Sequence, residues 1–212
     1  MLTLTEETKR IYLDRLAAHR AADEIIQGQG WDGSKGCAIG CTLNAYDHEA
    51  YERELGVPMV LAHLIDAIHE GLPLSAAKDW PARVLAAVPT QVDLSMVWPR
   101  FAIWLLTVEC ASESGTRVAA LYQRRIDGDE PTDQQWDAWA AWDARAASAA
   151  RAAWAAWAAS AARAAWAASA ARDASAARAA WAASAARDAR DARDASYQRQ
   201  ADHLVALLKS AS

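Results

Sequence analysis

No glycine follows Gly128 and no proline follows Pro131 in this chain of 212 residues, although it holds nine glycines and six prolines. The stretch beyond 131 therefore contains no helix breaker. Cysteine is scarce: Cys37, Cys41 and Cys110 are odd in number and too few for a disulfide framework, which predicts a reduced, cytoplasmic setting. Long apolar runs are missing too. The longest, Phe101-Ala-Ile-Trp-Leu-Leu-Thr-Val, is too short to cross a bilayer, so no membrane association is expected. The start, Met1-Leu-Thr-Leu-Thr-Glu-Glu, has no basic region followed by an apolar stretch and does not read as a secretory signal. A basic excess is also lacking: the formal net charge of −5 argues against a general binder of polyanions. No segment alternates at period two, so strands are not expected.

What fills the C-terminal part is a strict triplet. From Trp136 to Ser196 every third residue is Trp, Arg or Ser, and the residue before each one after the first is Ala. Alanine without breakers predicts an α-helix throughout, with at most one break, near Asp173. On such a helix the markers drift by about 60° per step and wind around the axis as an oblique ridge. Seven of the eleven tryptophans lie in this repeat and face several directions, which predicts self-association as a homo-oligomer. The mixture of Trp and Arg would suit single-stranded nucleic acid. The winding of the markers and the aspartates beside them, among them Asp188, Asp191 and Asp194, argue against that partner.

The rest reads as short, punctuated helices. Thr3 or Thr5 caps a helix to about Gln27, stopped by Gly28; Asp47 caps a second through Leu55, closed by Gly56. Pro58 opens a third that buries Val60, Leu61, Leu64, Ile65 and Ile68, with His63 and His69 at the margin of the core. Further short helices follow near 75–88, 97–112 and 116–126. The fold class is all-α: an N-terminal bundle over 1–126, a linker at 127–132, and an Ala/Trp/Arg-rich helical region over 133–212. Thr132 and Gln135 have the spacing of a capping box at the start of the last. Leu204, Val205, Leu207 and Leu208 form an ordinary apolar face that closes the bundle.

Chemistry concentrates in the glycine-rich stretch 28–46, which reads as an ordered loop. Glycines at positive φ, Gly36 among them, would let backbone amides converge into an anion nest, with Lys35 adding charge. The spacing is not that of a phosphate-binding P-loop. The predicted ligand-binding set is Trp31, Ser34, Lys35, Gly36, Gly40, His48, Tyr51 and Glu52, for a small anionic ligand such as a nucleotide, or for a protein partner. Cys37, Cys41 and His48 are weak candidates for a metal, Asp47 or His63 having to complete the set. Cys37 or Cys41 with His48 as base, oriented by Asp47 or Glu52, would make a hydrolase or transferase. Two buried thiols and a purely structural loop are the plainer alternatives. No motif assigns a cofactor.

The stretch Lys35-Gly-Cys-Ala-Ile-Gly-Cys41 followed by Asp47-His-Glu-Ala-Tyr-Glu-Arg-Glu-Leu-Gly-Val-Pro58 resembles a module of small uncharacterised bacterial and phage-borne proteins, over residues 8–110. The Ala-rich triplet tail is similar to those of some bacterial immunity proteins. The resemblance implies no activity. It implies that function sits at Lys35, Gly36, Cys37, Gly40, Cys41, His48, Tyr51 and Glu52, in a phage–host defence or immunity setting. The expected function is thus a non-catalytic helical binding or scaffold protein that self-associates through its repeat, with the Cys- or metal-dependent enzyme as its alternative.

Overall fold

The computed structural model describes residues 4–132, 134–136 and 175–211. It is all-α; among the described residues there is no strand, only isolated bridges from Gly36 to Ile25 and to Trp31. No helix among them is long and apolar enough to cross a membrane. The chain forms two compact units, one of residues 1–127 with 192–212, the other of 128–191. Composition changes at 126–132, whereas packing returns the last turns of the chain to the first unit.

In the first unit α1 (Glu6–Ala21) starts where the Thr5 hydroxyl accepts the Thr8 amide at 3.1 Å, with Glu6 and Glu7 in the first turn. It ends well before Gln27, because the chain turns through Asp23 at a φ of 57°. The apolar Tyr12 and Leu16 face inward, and α1 packs on α5 (Leu74–Ala87). Lys9 Nζ caps the end of α5 by donating to the carbonyls of Ala86 and Val88 at 2.8 and 2.6 Å.

The stretch expected to be loop contains a short helix, α2 (Ala38–Leu43), opened by Cys37 and closed by Asn44 in the left-handed region. Its Gly40 argues against helix by propensity. Burial of Ile39 and Cys41 in the core outweighs that cost of about 1 kcal/mol. Helix α3 (His48–Leu55) is capped by the Asp47 carboxylate, which accepts the Ala50 amide at 2.9 Å, and ends at Gly56 with a φ of 66°. Helix α4 (Met59–Gly71) buries Leu61, Ala62, Ile65, Ile68 and His69. Val60, expected inside, is exposed, because it stands about 100° around the helix from Leu61 on the outer side. Trp80 of α5 fills the core against α4 and donates its indole N–H to Ile65 O at 2.9 Å.

Helix α6 (Val97–Trp104) runs into a π-helical turn, Leu105–Glu109, and α7 (Glu113–Ile126) folds back onto it, capped by Ser112. The final helix, α8 (Ser175–Ser210), begins in the second unit and ends in the first. Within the first unit Ala201, Leu204, Val205 and Leu208, spaced at i, i+3, i+4 and i+7, are buried. Arg199 grips Glu109 of the π-turn through Nε and Nη2 at 2.9 and 2.7 Å, and Arg83 of α5 pairs with Asp202. His203 stacks on Trp104 with ring centres 4.2 Å apart. In the second unit the Thr132 amide donates to Gln135 Oε1 at 2.9 Å, the reach-back bond of a capping box. The triplet repeat is helical over 175–196; its residues 137–174, with Trp139, Trp142, Trp154, Trp157, Trp166 and the expected break at Asp173, lie outside the described residues.

Because Leu204 is fully buried, Leu204→Ala is expected to cost about 2–5 kcal/mol in urea unfolding, and Leu207→Ala, half-buried one turn on, distinctly less. Equal small losses would mean that the C-terminal segment does not pack as described.

Candidate functional site

The glycine-rich loop is built by backbone pairing. Ile26 N donates to Gly36 O, Gly36 N to Glu24 O and Cys37 N to Gly30 O, at 2.9, 3.1 and 3.1 Å. The Asp32 carboxylate accepts the amides of Ser34 and Lys35 at 2.9 and 2.7 Å, which holds its pKa below the ordinary carboxyl value. Two of the amides an anion nest would offer thus already hold a carboxylate of the same loop, and the side chains of Ser34 and Lys35 stand in solvent. Positive φ falls at Gly28 and Gly33, not at Gly36. Gly36 and Gly40 are glycines for another reason: a Cβ on either would run into the Gly30 carbonyl oxygen, and one on Gly30 into the Tyr46 ring. Trp31 lies half-buried with its indole against the edge of His19, which bonds Glu24 and Asn44 at 2.6 and 2.8 Å.

Neither thiol of the loop is activated. Cys37 is buried, and burial together with the adjacent Asp66 carboxylate pushes its pKa up to about 12. Burial likewise raises Cys41, to about 11, and its Sγ donates to the carbonyls of Gly36 and Glu24 at 3.3 and 3.5 Å. A reactive cysteine needs the opposite environment. The residues that would have oriented a base are engaged elsewhere, Asp47 capping α3 and Glu52 accepting the Met59 amide at 2.9 Å to cap α4. Among the described residues no three of His, Cys, Asp and Glu are placed to hold a metal ion.

His48 does join a cluster, with partners that spacing did not suggest. Its ring stacks on His63 of α4 at 4.0 Å between centres and 15° between planes, and the Tyr46 ring meets its edge at 5.0 Å. Beside His48 lies Asp66, 9% exposed, whose Oδ2 accepts the Tyr46 hydroxyl at 3.0 Å and stands 3.5 Å from His48 Nε2. Asp66 Oδ1 and His48 Nε2 are both buried without a hydrogen-bond partner. The Tyr46 hydroxyl is pushed up to about 12 by burial and by Asp66. Burial, then the stacked His63, lowers the His48 pKa, with Asp66 opposing.

Above this cluster α4 shows an unusual face. Met59, Val60, His63 and Ala67 share one exposed side of the helix, and from Met59 to Ala67 its only ionisable groups are His63 and the buried Asp66. Tyr46, Met59 and Val60 are 54%, 40% and 39% exposed. Of the residues predicted from sequence, Trp31, Gly36 and Gly40 meet around the Gly30 carbonyl and His48 stands in the cluster. Tyr51 is buried in the core, its pKa raised by burial, and Glu52 is a cap. Tyr46, Met59, Val60, His63 and Asp66 are the residues missed. The available signal was a helix presenting no Lys, Arg or Glu to solvent over two turns.

Two outcomes are expected. Gly40→Ala, forced against the Gly30 carbonyl, costs about 1–3 kcal/mol by calorimetry or urea unfolding, and a neutral result would remove the close approach. As pH falls through about 6.5, the unfolded chain takes up a proton at His48 while the folded chain keeps the ring neutral. Stability is therefore full above that value and declines as pH falls toward the lowered folded pKa. His203, also lowered by burial, titrates in the same window. His48→Gln should flatten this limb of a stability–pH series, His203 supplying what remains; an unchanged slope would contradict the burial of His48.

Protein-family models, curated proteins and solved structures give no match to this chain.

Proposed function

We propose that the protein is a binding protein that docks a protein partner on the outer face of α4, without turnover. The observation that carries this reading is the exposed side made by Met59, Val60, His63 and Ala67, flanked by the exposed ring of Tyr46 and free of Lys, Arg, Asp and Glu. A helix side left to water normally carries charge, whereas aromatic and Met side chains with few charges are what the centre of a protein interface collects. The protonated thiols beside it favour recognition over covalent chemistry. The loop 28–37 then acts as scaffold, pinning Tyr46 through Gly30. Self-association through the Trp-bearing repeat, and the phage–host setting drawn from the motif resemblance, stand as further proposals beside this one.

A photo-crosslinking side chain introduced at Val60 or His63 is expected to give one discrete protein adduct in cells, and the same group at Leu74 or Val108 none. Those two are as exposed as any apolar residue described but lie elsewhere, on α5 and in the π-turn. Val60→Lys, added to the His63 probe, should reduce the adduct about tenfold or more while changing stability by under about 0.5 kcal/mol. Adducts formed equally from Leu74 and Val108 would reject the α4 face.

A further inference from the structure

The charge of the segment that carries α3 and α4 is one-sided. Residues 44–72 hold six acidic side chains, Asp47, Glu49, Glu52, Glu54, Asp66 and Glu70, against one basic, Arg53; the excess equals the formal net charge of the whole chain, −5. Two of these carboxylates border the apolar stripe. Glu52 accepts the Met59 amide, and Glu70 follows the exposed Ala67 at i+3 on α4, its Oε2 accepting the Gly28 amide at 2.7 Å. Asp66 Oδ2 stands 3.5 Å from His48 Nε2; the residue is buried, with one carboxylate oxygen unpartnered and no Lys or Arg within ion-pair distance among the described residues. A buried carboxyl oxygen left without a hydrogen-bond partner is costly. Arg53 is engaged by Asp47 and Glu54, each at 3.9 Å, and leaves most of the excess in place.

Resting on the reading of α4 as a partner face, we propose that the partner presents a basic segment: a helix with aliphatic or aromatic anchors on one side and Lys or Arg beside them, its anchors on Met59, Val60, His63 and Ala67 and its cations toward Asp66, Glu49 and Glu70. The apolar stripe supplies the contact and the acidic rim selects the charge, the usual division between the core and the edge of an interface. The same rim repels an acidic helix, so the selectivity has both an attractive and a repulsive part. Nucleic acid and anionic lipid are disfavoured on this face for the same reason.

A displayed library of helical peptides, with leucine fixed at i, i+3, i+4 and i+7 and the flanking positions varied among Lys, Glu and Ser, tests the assignment on the full-length protein. Enrichment of Lys over Glu at the flanks is expected, with affinity of the selected peptides falling several-fold from about 0.05 to about 0.3 M salt. Glu49→Lys, at an exposed position, should erase the Lys preference in part, and Asp66→Asn, which keeps the side-chain volume, should erase more of it. Binders that show no charge bias but are lost on Val60→Lys would overturn the basic-partner assignment and leave the α4 face standing. Binders unaffected by Val60→Lys, or no binders at all, would overturn it together with the face. A dimer in equilibrium sedimentation that dissociates on Val60→Lys would instead give the face to a second copy of the chain and reject a basic partner.

Discussion

The arrangement of the first unit turns on how closely three stretches of backbone approach one another at Gly30, Gly36 and Gly40. The Gly30 carbonyl accepts the Cys37 amide at 3.1 Å and fills the space that side chains on Gly36 and Gly40 would need. With that contact made, Cys37 sits at the head of α2 and the Tyr46 ring closes over Gly30. Tyr46 then reaches Asp66 on α4, and the polar cluster is assembled from α2, α3, α4 and the turn at 44–47. Glycine is required here because it has no Cβ, and only Gly28 and Gly33 in this loop use its freedom at positive φ.

A carboxylate, two imidazoles, a thiol and a phenol in one place resemble the components of a catalytic site, yet their environment drives them the other way. Burial raises Cys37 and Tyr46 and lowers His48, so near neutral pH each stays in its uncharged form. Nucleophilic catalysis would need the thiol lowered instead. The leftover hydrogen-bonding capacity on Asp66 and His48 costs stability, since a desolvated polar group left unpartnered is unfavourable.

How much of this could be read in advance depended on whether local chemistry or tertiary packing decided the matter. Helix ends with a cap were legible: Thr5, Asp47 and Gly56 act as their residue types suggest, and Gln135 reaches back to Thr132. The all-α class followed from the absence of period-two alternation, and the apolar face at Leu204 and Leu208 from its spacing. Helix α2 was not legible, because Gly40 opposes it and burial of Ile39 and Cys41 is what outweighs that. The positions of Val60 and Leu61 were equally opaque, since both are aliphatic neighbours and only packing decides which turns inward. For the site, spacing pointed to Cys37, Cys41 and His48, but what joins His48 to its true neighbours is a stack across two helices and a carboxylate eighteen positions on, for which a single sequence holds no local sign.

The two faces of α4 answer to different demands. On the inner side Leu61, Ile65 and Ile68 enter a core that Trp80 and Phe101 help to fill and that Leu204, returning from the far end of the chain, completes. On the outer side Met59, Val60 and Ala67 could have been charged at little cost, because surface substitutions away from special features change stability by only about 0.5 kcal/mol. A helix that needed only to support the core would leave those positions free to be lysine or glutamate. Their apolar character, next to a buried carboxyl group with one unpartnered oxygen, is thus a property that folding does not require, and it is the ground on which partner binding is proposed for this face.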